Sequence, residues 1–361
     1  MNNPTPPLII LSAGGTGGHI MPAQALSADL IARGFRVEVI TDSRGKKFTK
    51  GFGDLTLHEV SAGTFGRGAP KLILGILQSL AIILKTRPAA VIGFGGYPSF
   101  PGMIAGQILL KPTILHESNA VLGKANKALC ILATKIALSW ENSRGLSDKE
   151  RAKSIVTGNP IREDIARLAR IEYPSITDKL NILVMGGSQG ASIFSQVIPA
   201  ALAKLSPENR AKLNITQQCR AEDIADTTKA YEDAGITATL MTFIDDVATE
   251  ITNCHLFIGR SGASTVTEMT TAGRPAIYVP LGVHKDNQQK VHADAVADHG
   301  GAWTVMQNDF TPESLHAQIE TFLANPSTLE SAAQKAKACA KPDAAAKLSA
   351  LIEGIIEQRA N

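Results

Sequence analysis

The chain has 361 residues, more than one hydrophobic core usually holds, so two domains are expected. Hydrophobic residues make up 44% and charged residues 19%, which excludes a disordered chain. With 36 basic and 33 acidic residues the net charge is 36 − 33 = +3, too small to make nucleic acid the main partner, though a local basic patch beside an anionic surface stays open.

The four cysteines, Cys130, Cys219, Cys254 and Cys339, form no CxxC pair, which points to reduced thiols rather than a disulfide framework or zinc site. The eight histidines show no HExxH-type ligand spacing. Residues 1–7 offer no basic segment and no apolar signal core, so no signal peptide is expected. The longest apolar run, 72–84, falls short of the ~20 residues needed to cross a bilayer.

In chain order, strands are predicted at 8–11, 37–41, 90–92, 113–115 and 136–138, with amphipathic helices between them, one of them over 22–33. The arrangement repeats after about residue 177, with strands at 182–185, 238–241, 256–258 and 276–279. Such alternation implies parallel sheets covered on both faces, in two Rossmann-like doubly wound domains. The punctuation Thr157-Gly158-Asn159-Pro160 marks the boundary, giving domains 1–158 and 159–341. A closing helix within 343–358 is expected to pack back on the first domain.

Each half opens with a strand, a glycine-rich turn and a helix: Gly14-Gly15-Thr16-Gly17-Gly18-His19, then Gly186-Gly187-Ser188-Gln189-Gly190-Ala191. Such loops let backbone N–H groups approach an anion, and the following helix adds its dipole. A tight turn without a ligand is the plain alternative for either loop. Ligands of such sheets bind at the carboxyl ends of the strands, so the two loops are expected to face each other across an interdomain cleft. Residues 14–19 do not fit GxGxxG, no P-loop occurs, and Asp42 is the sole candidate for a dehydrogenase's ribose-binding acid.

Eight segments, GGTGGH at 14–19, GFGGYPSFP at 93–101, HESNAVLGKAN at 116–126, TGNPIR at 157–162, GGSQGA at 186–191, FIDD at 243–246, RSGASTVTE at 260–268 and HKDNQQ at 284–289, resemble the MurG family in that family's order. The resemblance implies a glycosyltransferase-B fold and transfer of N-acetylglucosamine from UDP-N-acetylglucosamine to lipid I, giving lipid II, with inversion at the anomeric carbon. It also implies no cofactor and no metal site. The adjacent Asp245 and Asp246 alone make no coordination shell; the matching turn in the family holds uracil, with Ile244 supplying backbone contacts.

The same resemblance assigns donor contacts to Thr16, Gly17, Gly18, Asn119, Arg162, Ser188, Ala263, Ser264, Thr265, Val266 and Thr267. Residues 261–265 form a small-residue loop opening a helix, whose free N–H groups suit a pyrophosphate. Arg162 adds a cation, though a surface ion pair is the ordinary use of such a residue. Glu268 corresponds to the ribose-binding carboxylate, and Gln288 and Gln289 to the sugar-reading pair, whose amides both donate and accept. His19 ends the first loop and is the candidate general base; orienting a phosphate or capping a turn is the alternative. Glu117 and Tyr97 are acceptor-side candidates that could equally satisfy local backbone groups.

The apolar stretch from Lys71 to Lys85, flanked by Arg67 and Arg87, suits a monotopic patch on an anionic membrane, with Leu77 and Ile83 as its test positions. A buried core helix is the commoner fate of such a run. The expected location is the cytoplasmic face of a bacterial inner membrane, and cell-wall synthesis proteins are candidate partners. Competing readings are a related glycolipid transferase, a non-hydrolysing UDP-sugar epimerase and a non-enzymatic nucleotide-sugar binding protein.

Overall fold

The structure is a computed structural model that describes residues 6–15, 17–45, 51–64, 66, 68–187, 190–282 and 287–360. The chain divides into two compact units: residues 1–163 with 341–361, and residues 164–340.

In the first unit, β1 (Leu8–Ser12), β2 (Arg36–Thr41), β3 (Thr56–Glu59), β4 (Ala90–Gly93), β5 (Thr113–Glu117), β6 (Lys135–Leu138) and β7 (Ser154–Val156) form a parallel sheet in the order β3-β2-β1-β4-β5-β6-β7. Successive side chains of a strand point to opposite faces. Ile9 and Leu11 accordingly join one buried cluster with Val39, Ile92 and Ala137, while Ile10 joins another with Val91, Leu115 and Ile136. The first face is covered by helix α1 (Gly17–Ala32) and the closing helix Ala344–Ala360, which contributes Leu348, Ile352 and Ile355. Arg33 Nη1 ties that closing helix down through Glu353 Oε2 at 2.9 Å. The other face is covered by α2 (Ala69–Thr86), α3 (Gly96–Ile108) and α4 (Lys124–Leu129).

The second unit repeats the plan with β8 (Leu180–Met185), β9 (Leu213–Gln218), β10 (Thr237–Met241), β11 (Leu256–Gly259), β12 (Ala276–Tyr278) and β13 (Ala302–Thr304), all parallel, in the order β10-β9-β8-β11-β12-β13. In both sheets the strand order reverses beside the first strand of the unit. The crevice at such a reversal is where doubly wound sheets bind ligands. The described loop residues at those two points are 13–15 with 94–96, and 186–187 and 190–191 with 260–262.

Two expectations need correction. Helix α1 starts at Gly17 rather than Pro22, with Pro22 inside it. Pro22 lies just past the first turn, where its ring crowds and cannot bond the carbonyl of Gly18, and the helix still reaches back to the glycine loop with Gly17, Gly18 and His19 in its first turn. In α2, Leu72, Gly75, Ser79 and Ile83 form the packed stripe, and Ile83 is fully buried. Ile83 therefore belongs to the core; the open apolar face carries Ile73, Leu74, Leu77 and Leu84, with Leu77 and Leu84 59% and 60% exposed. The 18-residue helix is long and apolar enough to cross a membrane by composition, yet its packed stripe fixes it to the sheet.

Candidate active site

In the first unit the site grows from the carboxyl ends of β1, β4 and β5. Asp42, buried beyond β2, accepts the N–H groups of Gly15 and Gly45 at 3.0 Å through Oδ1 and pairs with Arg44 Nε at 2.8 Å through Oδ2. The Gly15 amide is thus spent on holding the loop, and Asp42 is a loop anchor rather than a ribose ligand. His19, half-buried, lies against Gly95 and Gly96. A Cβ on Gly96 would stand 3.2 Å from His19 Nε2, and its φ of +71° disfavours any side chain there. Burial pushes His19 below the ordinary histidine value, while the negative charge of Glu117 and the Phe94 main chain pull the other way.

Glu117, at the end of β5 and buried, is an acceptor with every lone pair direction in use. Its Oε1 takes Asn119 N at 2.9 Å and Asn119 Nδ2 at 3.0 Å; its Oε2 takes Gly123 N at 3.0 Å and Asn126 Nδ2 at 2.8 Å. The 117–126 loop is therefore folded around one carboxylate, which leaves Asn119 oriented with its amide oxygen outward from that bond. Asn126 was not singled out from the sequence, yet it braces Glu117 and approaches the His116 carbonyl at 3.3 Å. His116 is buried, with Nε2 donating to Gly158 O at 3.3 Å, and burial pushes its pKa down to about 4. Arg162 follows β7 and is half-buried; Tyr97 is half-buried in the first turn of α3.

In the second unit, Gly190 (φ +69°) lets the loop pass Arg220, whose Cγ would lie 2.8 Å from a Cβ there. Beyond β11, Gly262 in extended conformation caps the helix Ala263–Ala272. The Ser264 hydroxyl in its first turn is buried without a hydrogen-bond partner. Glu268, four residues on, shares its face. Val266 and Thr267 are buried; the Val266 N–H bonds Gly262 O at 2.9 Å and the Thr267 hydroxyl bonds Ala263 O at 2.8 Å. This leaves Ala263, Ser264 and Thr265 as the first-turn groups that present N–H or hydroxyl donors. Arg260 is structural: Nη1 donates to Val279 O at 2.9 Å, Nη2 to Gln307 Oε1 at 2.7 Å, and its guanidinium lies over the Phe194 ring.

Ile244 is buried, while the adjacent Phe243, which opens the FIDD segment but was given no role from the sequence, is 64% exposed. Asp246 caps the helix Val247–Asn253 by accepting Thr249 N at 3.0 Å, so this carboxylate has a local task. Among the described residues no group of three or more His, Cys, Asp or Glu side chains could hold a metal ion. Gln288 and Gln289 open the helix Gln288–Ala297, and Gln289 Oε1 accepts Leu281 N at 2.9 Å. Thr16 and Ser188 lie outside the described residues, as do Arg67 and residues 283–286.

Residues 9–138 match the Glycosyltransferase family 28 N-terminal domain, and residues 181–348 the Glycosyltransferase family 28 C-terminal domain. The chain is 45% identical over 360 residues to the UDP-N-acetylglucosamine--N-acetylmuramyl-(pentapeptide) pyrophosphoryl-undecaprenol N-acetylglucosamine transferase of Paramagnetospirillum magneticum, covering 97% of each chain. The chain belongs to the MurG family. The enzyme of the same name from Zymomonas mobilis is 40% identical, over 96% of this chain and 92% of its own. The crystal structure of Acinetobacter baumannii MurG superposes with a TM-score of 0.80 at 31% identity, covering 97% of this chain and all of that one (100%). A UDP-GlcNAc 2-epimerase from Neisseria meningitidis also superposes, with a TM-score of 0.71 over 97% of this chain and 99% of its own, but at 14% identity. That likeness is one of fold alone, and the MurG-family match sets the epimerase reading aside. The two parallel-sheet units have the glycosyltransferase-B architecture of this family.

Proposed function

We propose a division of labour in which the second unit holds the sugar donor and the first serves the acceptor. The chain is an N-acetylglucosaminyltransferase of peptidoglycan synthesis that moves N-acetylglucosamine from UDP-N-acetylglucosamine to lipid I and yields lipid II. The observation that carries the donor assignment is the first turn of the helix Ala263–Ala272, where Ser264 keeps a buried, unpartnered hydroxyl beside unspent amides at a strand-order reversal. The helix dipole favours an anion there.

On this reading Ala263, Ser264, Thr265 and Ser188 meet the diphosphate and Arg162 adds positive charge. Glu268 takes the ribose hydroxyls, and the backbone at Ile244 reads uracil beside the exposed ring of Phe243. Gln288 and Gln289 read the sugar hydroxyls; Gln289 does so with its NH2 group, since its oxygen is occupied. Thr16, Gly17, Gly18 and Asn119 border the transferred sugar. His19 withdraws the proton from the acceptor hydroxyl as that oxygen bonds the anomeric carbon from the face opposite UDP. The carbon–oxygen bond to phosphate breaks, UDP leaves with the electron pair, and configuration inverts. Fixed donors aimed at the developing diphosphate charge replace a metal ion in this scheme.

The deciding experiment is UDP release from UDP-N-acetylglucosamine with and without a lipid I analogue, in the presence of a metal chelator. Acceptor-dependent release that survives the chelator supports both parts. Release lost on chelation would overturn the metal-free scheme, and release independent of acceptor would overturn the transferase assignment.

The open apolar face of α2, with Lys71, Lys85 and Arg87 exposed around it, supports peripheral binding to an anionic membrane, at the cytoplasmic face where lipid I is presented. Leu77→Glu combined with Leu84→Glu should release the protein from anionic vesicles in a flotation assay, with UDP binding retained. Undiminished vesicle binding would overturn the assignment.

A further inference from the structure

The two donor-holding elements of the second unit are joined by hydrogen bonds that the scheme above does not use. Ser261 and His292 are both buried, at 0% and 1% exposure. The Ser261 hydroxyl donates to Gln289 O at 2.8 Å, and His292 Nδ1 lies 3.1 Å from Ser261 O. A carbonyl can only accept, so the Nδ1 proton is fixed on the imidazole and Nδ1–H is the donor. With the bond from Leu281 N to Gln289 Oε1, three elements meet: the loop after β11, the segment after β12 and the helix Gln288–Ala297.

We infer that His292 is a positioning residue which, with Ser261, clasps the phosphate-facing loop to the helix carrying the sugar-reading glutamines, so that both ends of the donor are held in one frame. The inference rests on the donor-site reading above. Its logic is geometric. Ser261 O belongs to the peptide that leads into Gly262, the cap of the helix Ala263–Ala272. Fixing that carbonyl fixes the direction in which the following amides point. The other end of the clasp sits on Gln289 O and His292, one turn apart on the glutamine helix. A displacement of about 1 Å between groups that hold a reacting centre costs on the order of a hundredfold in rate, so a direct tie between the two elements matters more than the strength of either bond. Burial keeps the imidazole neutral, with its pKa pushed down to about 4, and the Ser261 carbonyl holds its single proton on Nδ1.

The test compares two ligands on the full-length protein: UDP, which touches only the phosphate side, and UDP-N-acetylglucosamine, which spans both. His292→Leu should raise KM for UDP-N-acetylglucosamine by about tenfold or more, while Kd for UDP by calorimetry changes far less. His292→Asn, whose side-chain NH2 can donate to the same carbonyl, should recover most of the loss. Ser261→Ala, which removes only the bond to Gln289 O, should shift KM in the same direction and keeps the test open if His292→Leu does not fold. Equal weakening of both ligands, or no rise of KM in any variant, would overturn the clasp. Ser264→Ala and Glu268→Ala separate the two levels: if neither weakens UDP binding, the donor-site reading fails; if they weaken it and the clasp variants alter nothing, only the clasp fails.

Discussion

Turnover of the His19→Ala variant is expected to fall by about a hundredfold to ten-thousandfold, the usual contribution of a positioned base, while donor affinity should stay close to that of the parent. His19 is placed to have this effect because α1 begins at Gly17 and carries it in its first turn, against the Gly95–Gly96 loop. Its pKa is lowered by burial, so the ring is unprotonated and able to accept a proton at neutral pH. The rate should therefore fall only on the acid side, as pH drops through a value below the ordinary histidine range near ~6.5, and this acid limb should vanish in His19→Ala. Initial rates of UDP release across pH, at saturating donor, give both readings at once. Unchanged turnover would remove His19 from the chemistry, and a surviving acid limb would assign it to another group.

The acid limb has to be separated from loss of fold, and the sign of the linkage says where. His116 and His292 have folded-state pKa values pushed down to about 4, below the unfolded value near 6.5. The unfolded chain therefore binds more protons between these values, so stability is full above about pH 6.5 and declines as pH falls towards about 4. Each unit contains one of these histidines. A far-UV circular dichroism signal that stays native across the limb identifies it as catalytic.

Much of this arrangement is legible in the sequence where local signals agree. β1 and β8 are apolar runs that end in glycine turns, and both were expected within a residue or two of their bounds. β9, of sequence LNITQQ, was missed although it neighbours β8 in the sheet. Its inward Gln217 has no apolar signature; it is buried because Tyr231 OH donates to its Oε1 at 2.7 Å and Ser195 Oγ takes its Nε2 at 3.4 Å. β3, β7 and β13 were missed because they are short and largely half-buried or exposed, without the buried aliphatic run that marks the equally short β4, β6, β11 and β12. The site divides in the same way. Glycine loops and motif residues are visible as patterns. The tasks of Asp42, Glu117, Asn126 and His292 depend on which backbone groups the tertiary fold leaves needing a partner, and one sequence does not display that.

Arg274 carries that last point to its largest consequence for stability, and no motif announces it. It is 1% exposed, follows the left-handed Gly273 that ends the helix Ala263–Ala272, and has no carboxylate partner among its hydrogen bonds. Its guanidinium instead donates to Ile251 O at 2.7 Å, Ala272 O at 2.8 Å and Thr252 O at 2.9 Å, with the Tyr173 ring 5.7 Å from Cζ. These carbonyls lie at the carboxyl ends of two helices, where helix dipoles favour a cation and backbone acceptors run short of intrahelical donors; Ile251 O also takes the Cys254 N–H at 3.3 Å. Arg274→Met keeps apolar volume but strands Thr252 O and Ala272 O, and at about 1–3 kcal/mol for each stranded acceptor should lower the stability of the second unit by about 2–6 kcal/mol. Arg274→Lys should recover only part, since an ammonium cannot reproduce the planar fork that reaches three carbonyls. With Trp140 in the first unit and Trp303 in the second, urea unfolding followed by Trp303 emission in a Trp140→Phe background reads the affected unit alone. The end of the same ten-residue helix that we propose faces the diphosphate lies roughly 14 Å away, so UDP binding without denaturant should persist in Arg274→Met. A Trp303 transition at the parent's urea concentration would mean that the helix ends find other donors; loss of UDP binding in the folded variant would mean that the two ends of this helix are not independent.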